Sequence, residues 1–266
     1  MKIRILTISA ILLVWFASPL SAQVDFRNSD RGRPILIEDA YPVEFLGFEL
    51  QGGLRYERDR GDGQLDVTPE LRFGAYKNLQ IGIETDYISM QDNNRRSGLS
   101  DTLIHAFYNF NQEGLSLPAI AIRFDGGIPT GGLGSDHLHF TPTAIATKGI
   151  GDLRSHINIS YTLGPTSSPG RGGEISRYFY GLGLDYTWPL KFLMVMGDIV
   201  VQKPIDDRER ELLLEFGARM QIHPKWVLDI GIGTEALKEE GADFFLTTGL
   251  TYIFGVRKIS LQRLDK

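Results

Sequence analysis

The chain has 266 residues, a formal net charge of −5 and no cysteine. The lack of a basic excess gives no reason to expect nucleic-acid binding, and the lack of cysteine excludes a disulfide scaffold, a thiolate metal site and a lipid-modified cysteine. Glycine is frequent, at 30 residues, and aromatic residues make up 11%. Both features suit strands, tight turns and the aromatic girdles of membrane barrels.

The first stretch of the chain has the layout of a secretory signal peptide. Lys2 and Arg4 precede an apolar run from Ile5 to Ala17, which is followed by small residues. We predict cleavage after Ala22, which makes residues 1–22 the signal. An uncleaved membrane anchor is the alternative, but the run is short for a span that needs about 20 apolar residues.

Residues 23–42 are polar and carry Arg31, Arg33 and Pro34 among acidic residues. They predict an N-terminal extension that is either mobile in the periplasm or tucked into the mouth of the fold as a plug.

From Phe48 onward the chain repeats a unit of about ten residues, in which apolar and polar side chains alternate, followed by a turn. In the first unit, Leu54 and Tyr56 alternate with Arg55 and Glu57. Successive side chains of a strand point to opposite faces, so each unit predicts a strand with one apolar and one charged face.

Two of the later units are less regular. The sixth, Leu138 to Thr147, alternates weakly, and the ninth, Phe192 to Gln202, is apolar on both faces, so its outward set stays open. Tight turns alternate with longer loops along the chain. The tight turns are predicted near Lys77, Gly149, Pro189 and Pro224, and the longer loops near Asn93, Leu133, Ser168, Asp207 and Glu240.

The energetics of lipid contact decide which face lies inside. A basic side chain on the lipid face costs ~2–4 kcal/mol at mid-membrane, so the charged positions together would exceed the stability of any fold. The sequence therefore predicts an all-β fold, a transmembrane antiparallel up-and-down β-barrel of about 12 strands over residues 43–254, with a tail over 255–266. Ten or fourteen strands, or a soluble sandwich with shorter strands of ~5–6 residues, are the alternatives.

The charged side chains of the inner face are the predicted pore lining, and acids outnumber bases among them. They could form a network of Arg–carboxylate pairs that stabilises the barrel or an eyelet that favours cations and neutral polar solutes. The predicted pore-lining residues are Glu49, Arg55, Glu57, Glu70, Arg72, Glu84, Asp86, Asp101, His105, Arg123, Asp125, Arg154, His156, Arg177, Asp185, Glu215, Arg219 and Asp229.

An apolar conduit is a further hypothesis, since Phe179, Phe245, Ile253 and the ninth strand could line one. Most of the predicted lumen is nevertheless polar.

Enzymatic activity would need a Ser–His system. Ser155 and His156 are neighbours and therefore point to opposite faces, and His139 lies near Ser135 without a nucleophile elbow. His137 and His139 share a face, but a third metal ligand is lacking. The sequence thus predicts no catalytic residue, no metal and no cofactor.

The last strand predicts the route of assembly. Gly249, Tyr252 and Phe254 have the spacing of the C-terminal signal that the outer-membrane insertion machinery reads. We therefore expect that machinery, outer-membrane lipid and a small-molecule solute as partners, and the outer membrane as the location.

Four short motifs lie in the first half of the chain. They are Asp30-Arg31-Gly32-Arg33-Pro34 with Glu38, Phe48-Glu49-Leu50-Gln51 with Tyr56, Gly98-Leu99-Ser100-Asp101-Thr102 leading to Phe107-Tyr108-Asn109-Phe110, and Leu117-Pro118 leading to Ile128-Pro129-Thr130-Gly131. In these motifs the chain resembles the outer-membrane family labelled "MetA-pathway of phenol degradation". His105 departs from the pattern, because the family's strand has a lysine there.

This resemblance implies an outer-membrane, transporter-like β-barrel. The predicted function is passive or facilitated uptake of small solutes, with aromatic or other apolar compounds among the candidates. A non-conducting barrel with a structural or adhesive role, and a lipid-modifying enzyme, are the alternatives.

Overall fold

The computed structural model describes residues 26–59, 62–91, 96–135, 137–164, 176–187, 190–205, 210–237 and 243–255. The predicted signal peptide lies outside these residues, as do all but the first residue of the predicted tail. The same holds for the turn residue Pro189 and the loop residues Asn93, Ser168, Asp207 and Glu240.

The described strands form one closed antiparallel barrel in which each strand pairs with its neighbours in the chain and the first pairs with the last. This confirms the predicted all-β, up-and-down barrel. The strands are β1 (Gly47–Asp59), β2 (Asp62–Tyr76), β3 (Leu79–Gln91), β4 (Ser97–Asn111), β5 (Ala119–Ile128), β6 (His139–Ile150), β7 (Leu153–Tyr161), β8 (Arg177–Tyr186), β9 (Leu193–Pro204), β10 (Glu211–His223), β11 (Trp226–Glu235) and β12 (Phe244–Gly255).

The two ends of the barrel differ. Short connections such as 77–78, 151–152 and 224–225 lie at one end, here called the turn end, and connections such as 129–138 lie at the other, the loop end. The connection 112–118 is a longer one at the turn end. Among the described residues, no helix is both long and apolar enough to cross a membrane.

Side chains alternate between the two faces of the wall. In β5, Ala121, Arg123 and Asp125 are buried inside, whereas Ile120 and Phe124 are 45% and 54% exposed on the outside. The other strands repeat this pattern and leave a continuous apolar outer surface. An apolar surface of that extent is suited to hydrocarbon rather than water.

The sequence left the ninth strand undecided, and its pairing settles which side chains point inward. Asp198 lies opposite Gly183 of β8 and Glu215 of β10. This register turns Met194, Met196, Asp198 and Val200 inward, where all four are buried. The neighbouring strands, rather than the strand's own pattern, therefore fix its orientation.

Aromatic side chains pack in pairs near both ends of the barrel. The rings of Trp226 and Tyr252 are 4.6 Å apart at the turn end, and those of Tyr161 and Tyr178 are 4.8 Å apart at the loop end. Aromatic rings at these levels suit the two membrane–water interfaces.

Residues 26–46 fold into the barrel, and we call them the inserted segment. Their last residues lie at the turn end, where the Leu46 N–H donates to the Gly74 carbonyl at 2.8 Å. The segment reverses direction near Asp30, whose carbonyl accepts a hydrogen bond from the Arg33 N–H at 3.2 Å. After the reversal, Asp39 returns beside Ser29 and donates its N–H to the Ser29 carbonyl at 3.3 Å. The segment therefore enters and leaves at the same end and does not itself cross the membrane.

Candidate functional site: the barrel lumen

The structure places all eighteen predicted lining residues on the inward face. The partly exposed ones are Arg55, Glu57, Glu84, Asp86, Arg154 and Arg177. The buried ones are Glu49, Glu70, Arg72, Asp101, His105, Arg123, Asp125, His156, Asp185, Glu215, Arg219 and Asp229. Many of the buried ones contact the inserted segment.

An ion-pair network joins the inserted segment to β1, β2 and β10. Arg72 binds Glu70 through Nε at 2.6 Å and also pairs with Asp30 of the segment. Asp30 in addition lies 2.6 Å from Nη2 of Arg219. Arg33 lies 3.2 Å from Glu70 and also donates to Gln51 of β1. Charges of the segment and the wall thus alternate in sign.

A second network lies on β5. Arg123 holds Asp125 through Nε at 2.8 Å and Glu38 of the segment through Nη1 at 3.0 Å. Arg31 of the segment reaches Asp125 at 3.1 Å. Glu38 also exchanges two backbone hydrogen bonds with the Asn158 amide, at 2.9 and 2.8 Å. Its position is therefore fixed from two sides of the barrel.

A relay of polar groups connects the segment to β6, β7 and β8. The Ala40 N–H donates to Thr147 Oγ1 at 3.0 Å, and that hydroxyl lies 3.0 Å from His156 Nδ1. His156 Nε2 lies 2.8 Å from Asp185, which also binds Arg154 at 2.7 Å. This series of hydrogen bonds fits a His156 imidazole that carries its proton on Nε2.

The inward face from β8 to β12 is different, because much of it is apolar. We call these side chains the apolar wall. They are Phe179, Met194, Met196, Val200, Leu213, Val227, Phe245 and Ile253. Ile35 and Ile37 of the inserted segment pack against this wall and are 2% and 0% exposed. The inward faces of β1 to β5, the charged wall, carry most of the ion pairs.

Inward-facing glycines let the segment approach the apolar wall closely. A Cβ added to Gly181 would lie 2.1 Å from Ile37 Cδ1, and one added to Gly183 would lie 2.9 Å from Ile37 Cγ2. Pro34 fills the space above Gly217 in the same way, because a Cβ added to Gly217 would lie 2.6 Å from Pro34 Cβ. Such distances leave no room for a side chain, so the wall is shaped to the segment.

Two carboxyl groups face each other across β9 and β10, and we call Asp198 and Glu215 the acidic pair. The Leu36 N–H donates to Asp198 Oδ2 at 3.0 Å and to Glu215 Oε2 at 2.5 Å, and the Ile37 N–H donates to Asp198 Oδ2 at 3.1 Å. Asp198 is 5% exposed. Its Oδ1 accepts no hydrogen bond from the described residues.

The carboxyl groups of the inserted segment differ in their pKa values. Burial raises the pKa of Asp39 to about 6, although the Arg154 guanidinium opposes the shift. Burial also raises the pKa of Glu38. For Asp30, burial is outweighed by three surrounding guanidinium groups, which lower its pKa below the ordinary value.

Ser135, His139 and Asp101 meet near the loop end, but their geometry differs from that of a hydrolase triad. Ser135 Oγ donates to Asp101 at 2.5 Å, and His139 presents the same atom, Nδ1, to Ser135 at 3.3 Å and to Asp101 at 3.7 Å. A triad needs the two imidazole nitrogens to serve the two partners separately. Ser135 is also 0% exposed, so these contacts anchor the loop 129–138 to β4.

No cluster of three or more histidine and carboxylate side chains that could hold a metal ion is found within the described ranges. The His139 ring lies 3.4 Å from the His137 carbonyl.

Sequence reasoning missed several residues of the site. Asp198 and Met196 were hidden because the ninth strand is apolar on both faces, and the local pattern of β8 does not distinguish Gly181 and Gly183 from other strand glycines. The inward periodicity of the glycines was the available signal, since a glycine at an inward position marks a close approach of another chain segment.

Comparisons with known proteins agree with this architecture. A family model described as "Putative MetA-pathway of phenol degradation" matches residues 48–254. The fold is similar to that of the COG4313 outer membrane channel from Pseudomonas putida F1, with a TM-score of 0.65 and 12% identity over 81% of this chain and 98% of that chain. It is also similar to the KdgM porin, with a TM-score of 0.53 and 13% identity over 76% and 98%. The NanC porin has a TM-score of 0.53 and 9% sequence identity, over 77% of this chain and 98% of that chain. No curated protein matches the sequence.

Proposed function

Since the chain belongs to the phenol-degradation MetA-pathway family matched over residues 48–254, we propose that it is an outer-membrane channel for passive or facilitated uptake of small solutes. In this proposal the turn end faces the periplasm, as short periplasmic turns do in bacterial barrels. The inserted segment is a plug that closes the bore at rest.

One observation carries the plug proposal: the segment is bound to the wall chiefly by side chains. The N–H groups of Leu36, Glu38, Ala40 and Val43 all donate to wall side chains rather than to a strand backbone. Apart from Phe45 and Leu46, which stay bridged to the Gly74 backbone at the turn end, the segment can therefore leave without breaking a hydrogen bond to a strand backbone. The barrel would stay closed as a cylinder while its lumen opened.

Displacement of the plug would also change the charge of the bore. Docked, Arg31 and Arg33 neutralise Asp125 and Glu70 of the wall. Undocked, Asp125 keeps Arg123 and Glu70 keeps Arg72, but ten carboxylates face six arginines among the eighteen lining residues, and rings of acidic side chains favour cations. We propose that the open channel prefers cations and neutral polar solutes to anions.

The test is single-channel recording of purified full-length protein that carries Gly181→Ala and Gly183→Ala together. A Cβ at Gly183 would meet only Ile37 at close range, and a Cβ at Gly181 would meet Ile37 and, at 3.2 Å, Phe179. We expect the open time to rise at least about tenfold, since overpacking costs ~1–3 kcal/mol. Gly52→Ala, on the outer face with no atom within 4 Å, is the matched control.

Ile37→Gly removes the clash and provides a second control, measured with and without the two glycine substitutions. Truncation of Ile37 opens the plug by itself through lost burial, so the two substitutions should not lengthen the open time further in that background if they act only through the clash. A barrel that conducts in none of these variants would contradict the proposal and favour the non-conducting, structural or adhesive alternative.

The proposal also makes the barrel a channel rather than a lipid-modifying enzyme. The burial of Ser135 supports this, because a nucleophile must reach its substrate. Phospholipid hydrolysis by the purified protein that His139→Ala abolishes would contradict it.

A further inference from the structure

We propose that the acidic pair and the apolar wall form a binding site for a small apolar amine, and that Pro34 to Ile37 of the inserted segment occupy this site when the plug is docked. The inference rests on the proposed channel function, because the ligand reaches the site through the bore.

The contacts of the segment show what the site accepts. It takes an apolar group, the Ile37 side chain, against the glycine positions of β8 and within the apolar cluster of the wall. Next to that group it takes two N–H donors, both directed at Asp198 Oδ2. A ligand that replaces the segment must therefore combine an apolar body with hydrogen-bond donors.

Two facing carboxyl groups outnumber the one arginine beside them, and this excess favours a cation among such ligands. Within the described residues, the one ion pair that the acidic pair makes joins Glu215 Oε1 to Arg55 Nη1 over 3.7 Å, and Arg55 also pairs with Glu57 at 2.5 Å. Asp198 keeps one buried oxygen that accepts no hydrogen bond from these residues. An ammonium group carries three donors and would satisfy both carboxyl groups with charge-assisted hydrogen bonds.

The neighbouring aromatic ring suits the rest of the ligand. The Arg55 guanidinium lies 3.9 Å from the centre of the Phe245 ring, and Phe179 packs against the same wall. An aromatic or aliphatic ring that enters the space of Ile35 and Ile37 would contact these side chains. The inferred class is thus an amine on a ring-sized apolar body.

Benzylamine is the probe, and isothermal titration calorimetry of the detergent-solubilised full-length protein is the measurement. A ligand can bind only molecules whose plug is undocked, so the apparent affinity is the intrinsic affinity multiplied by the undocked fraction. We therefore expect Ile37→Ala to bind benzylamine more tightly than the unmodified chain. In the Ile37→Ala background, benzyl alcohol and benzoate should bind at least about tenfold more weakly than benzylamine.

Asp198→Asn in the same background should weaken benzylamine binding at least about tenfold. Asp86→Asn, which removes a carboxylate from the opposite wall, is the matched control and should change the affinity by less than about twofold. Heat-modifiable gel mobility shows that each variant is folded.

Three results would overturn the inference: no saturable binding of benzylamine, equal binding of benzylamine and benzyl alcohol, or equal losses in Asp198→Asn and Asp86→Asn. The last result would mean attraction to the acidic bore as a whole. Saturable, Asp198-dependent binding in a barrel that never conducts would sink the channel proposal and leave the site intact.

Discussion

The charged wall and the apolar wall hold the same segment by different physics. On the charged wall, Arg72 and Arg123 bind Asp30 and Glu38 in fixed directions. Such buried pairs add little net stability, because desolvation of the charges offsets their attraction. On the apolar wall, the burial of one isoleucine contributes ~1.5–3 kcal/mol without fixing a direction. The comparison teaches that the apolar wall stabilises docking and the charged wall sets its register.

The largest expected effect comes from breaking the charged wall. Arg72→Met removes one of the two arginine partners of Glu70 and one of the two of Asp30, and breaking a buried pair costs ~3–5 kcal/mol. We expect the segment to undock almost completely, measured as the labelling rate of a thiol placed in the segment. Arg72→Lys keeps the positive charge and should weaken docking of the segment much less. A labelling rate unchanged by Arg72→Met would show that the pairs do not hold the segment.

A smaller effect is expected on the apolar wall. Ile37→Ala should weaken docking by about 2 kcal/mol, the lower end of the range for buried isoleucine, because lumen water can fill the space. The same thiol labelling measures the change. Ile230→Ala, at a position 63% exposed on the outer face, is the control. If both variants label alike, the apolar wall contributes nothing to docking.

The smallest predicted effect is a dependence on pH. The pKa of Asp39 is raised to about 6 in the docked state, and that of Glu38 is raised too. The docked segment therefore holds protons more tightly than the free segment, so docking is strongest near pH 4 and weakens as the pH rises through 6. Asp30 has a lowered pKa and is ionised in both the docked and the free segment across this window. It therefore does not contribute to the dependence of docking on pH.

Thiol labelling between pH 4.5 and 7.5, corrected for the reactivity of the exposed thiol, should show this loosening at the higher pH. Each unit of pKa difference corresponds to ~1.4 kcal/mol. Asp39→Asn should flatten the dependence. Docking that strengthens with pH would contradict the assignment.

The sequence predicted the charged wall far better than the apolar wall. Alternation is a local signal, so Arg72 and Asp125 could be assigned to the lumen from their neighbours alone. Met196 and Asp198 could not, because both faces of their strand are apolar and only pairing with β8 and β10 orients it. The path of the inserted segment was also beyond local signals, since Leu36 meets Glu215 across 179 positions of the chain.

The most direct test of the account is the reactivity of Ser29→Cys. The natural chain has no cysteine, so this thiol is a single reporter, and Ser29 is 3% exposed inside the barrel. In detergent-solubilised full-length protein, a water-soluble maleimide should label it at least about a hundredfold more slowly than Leu115→Cys at the exposed turn, if docking is worth about 3 kcal/mol. Gly181→Ala with Gly183→Ala should close most of that gap. Equal labelling of Ser29→Cys and Leu115→Cys in the otherwise unmodified chain would contradict a segment docked in the lumen.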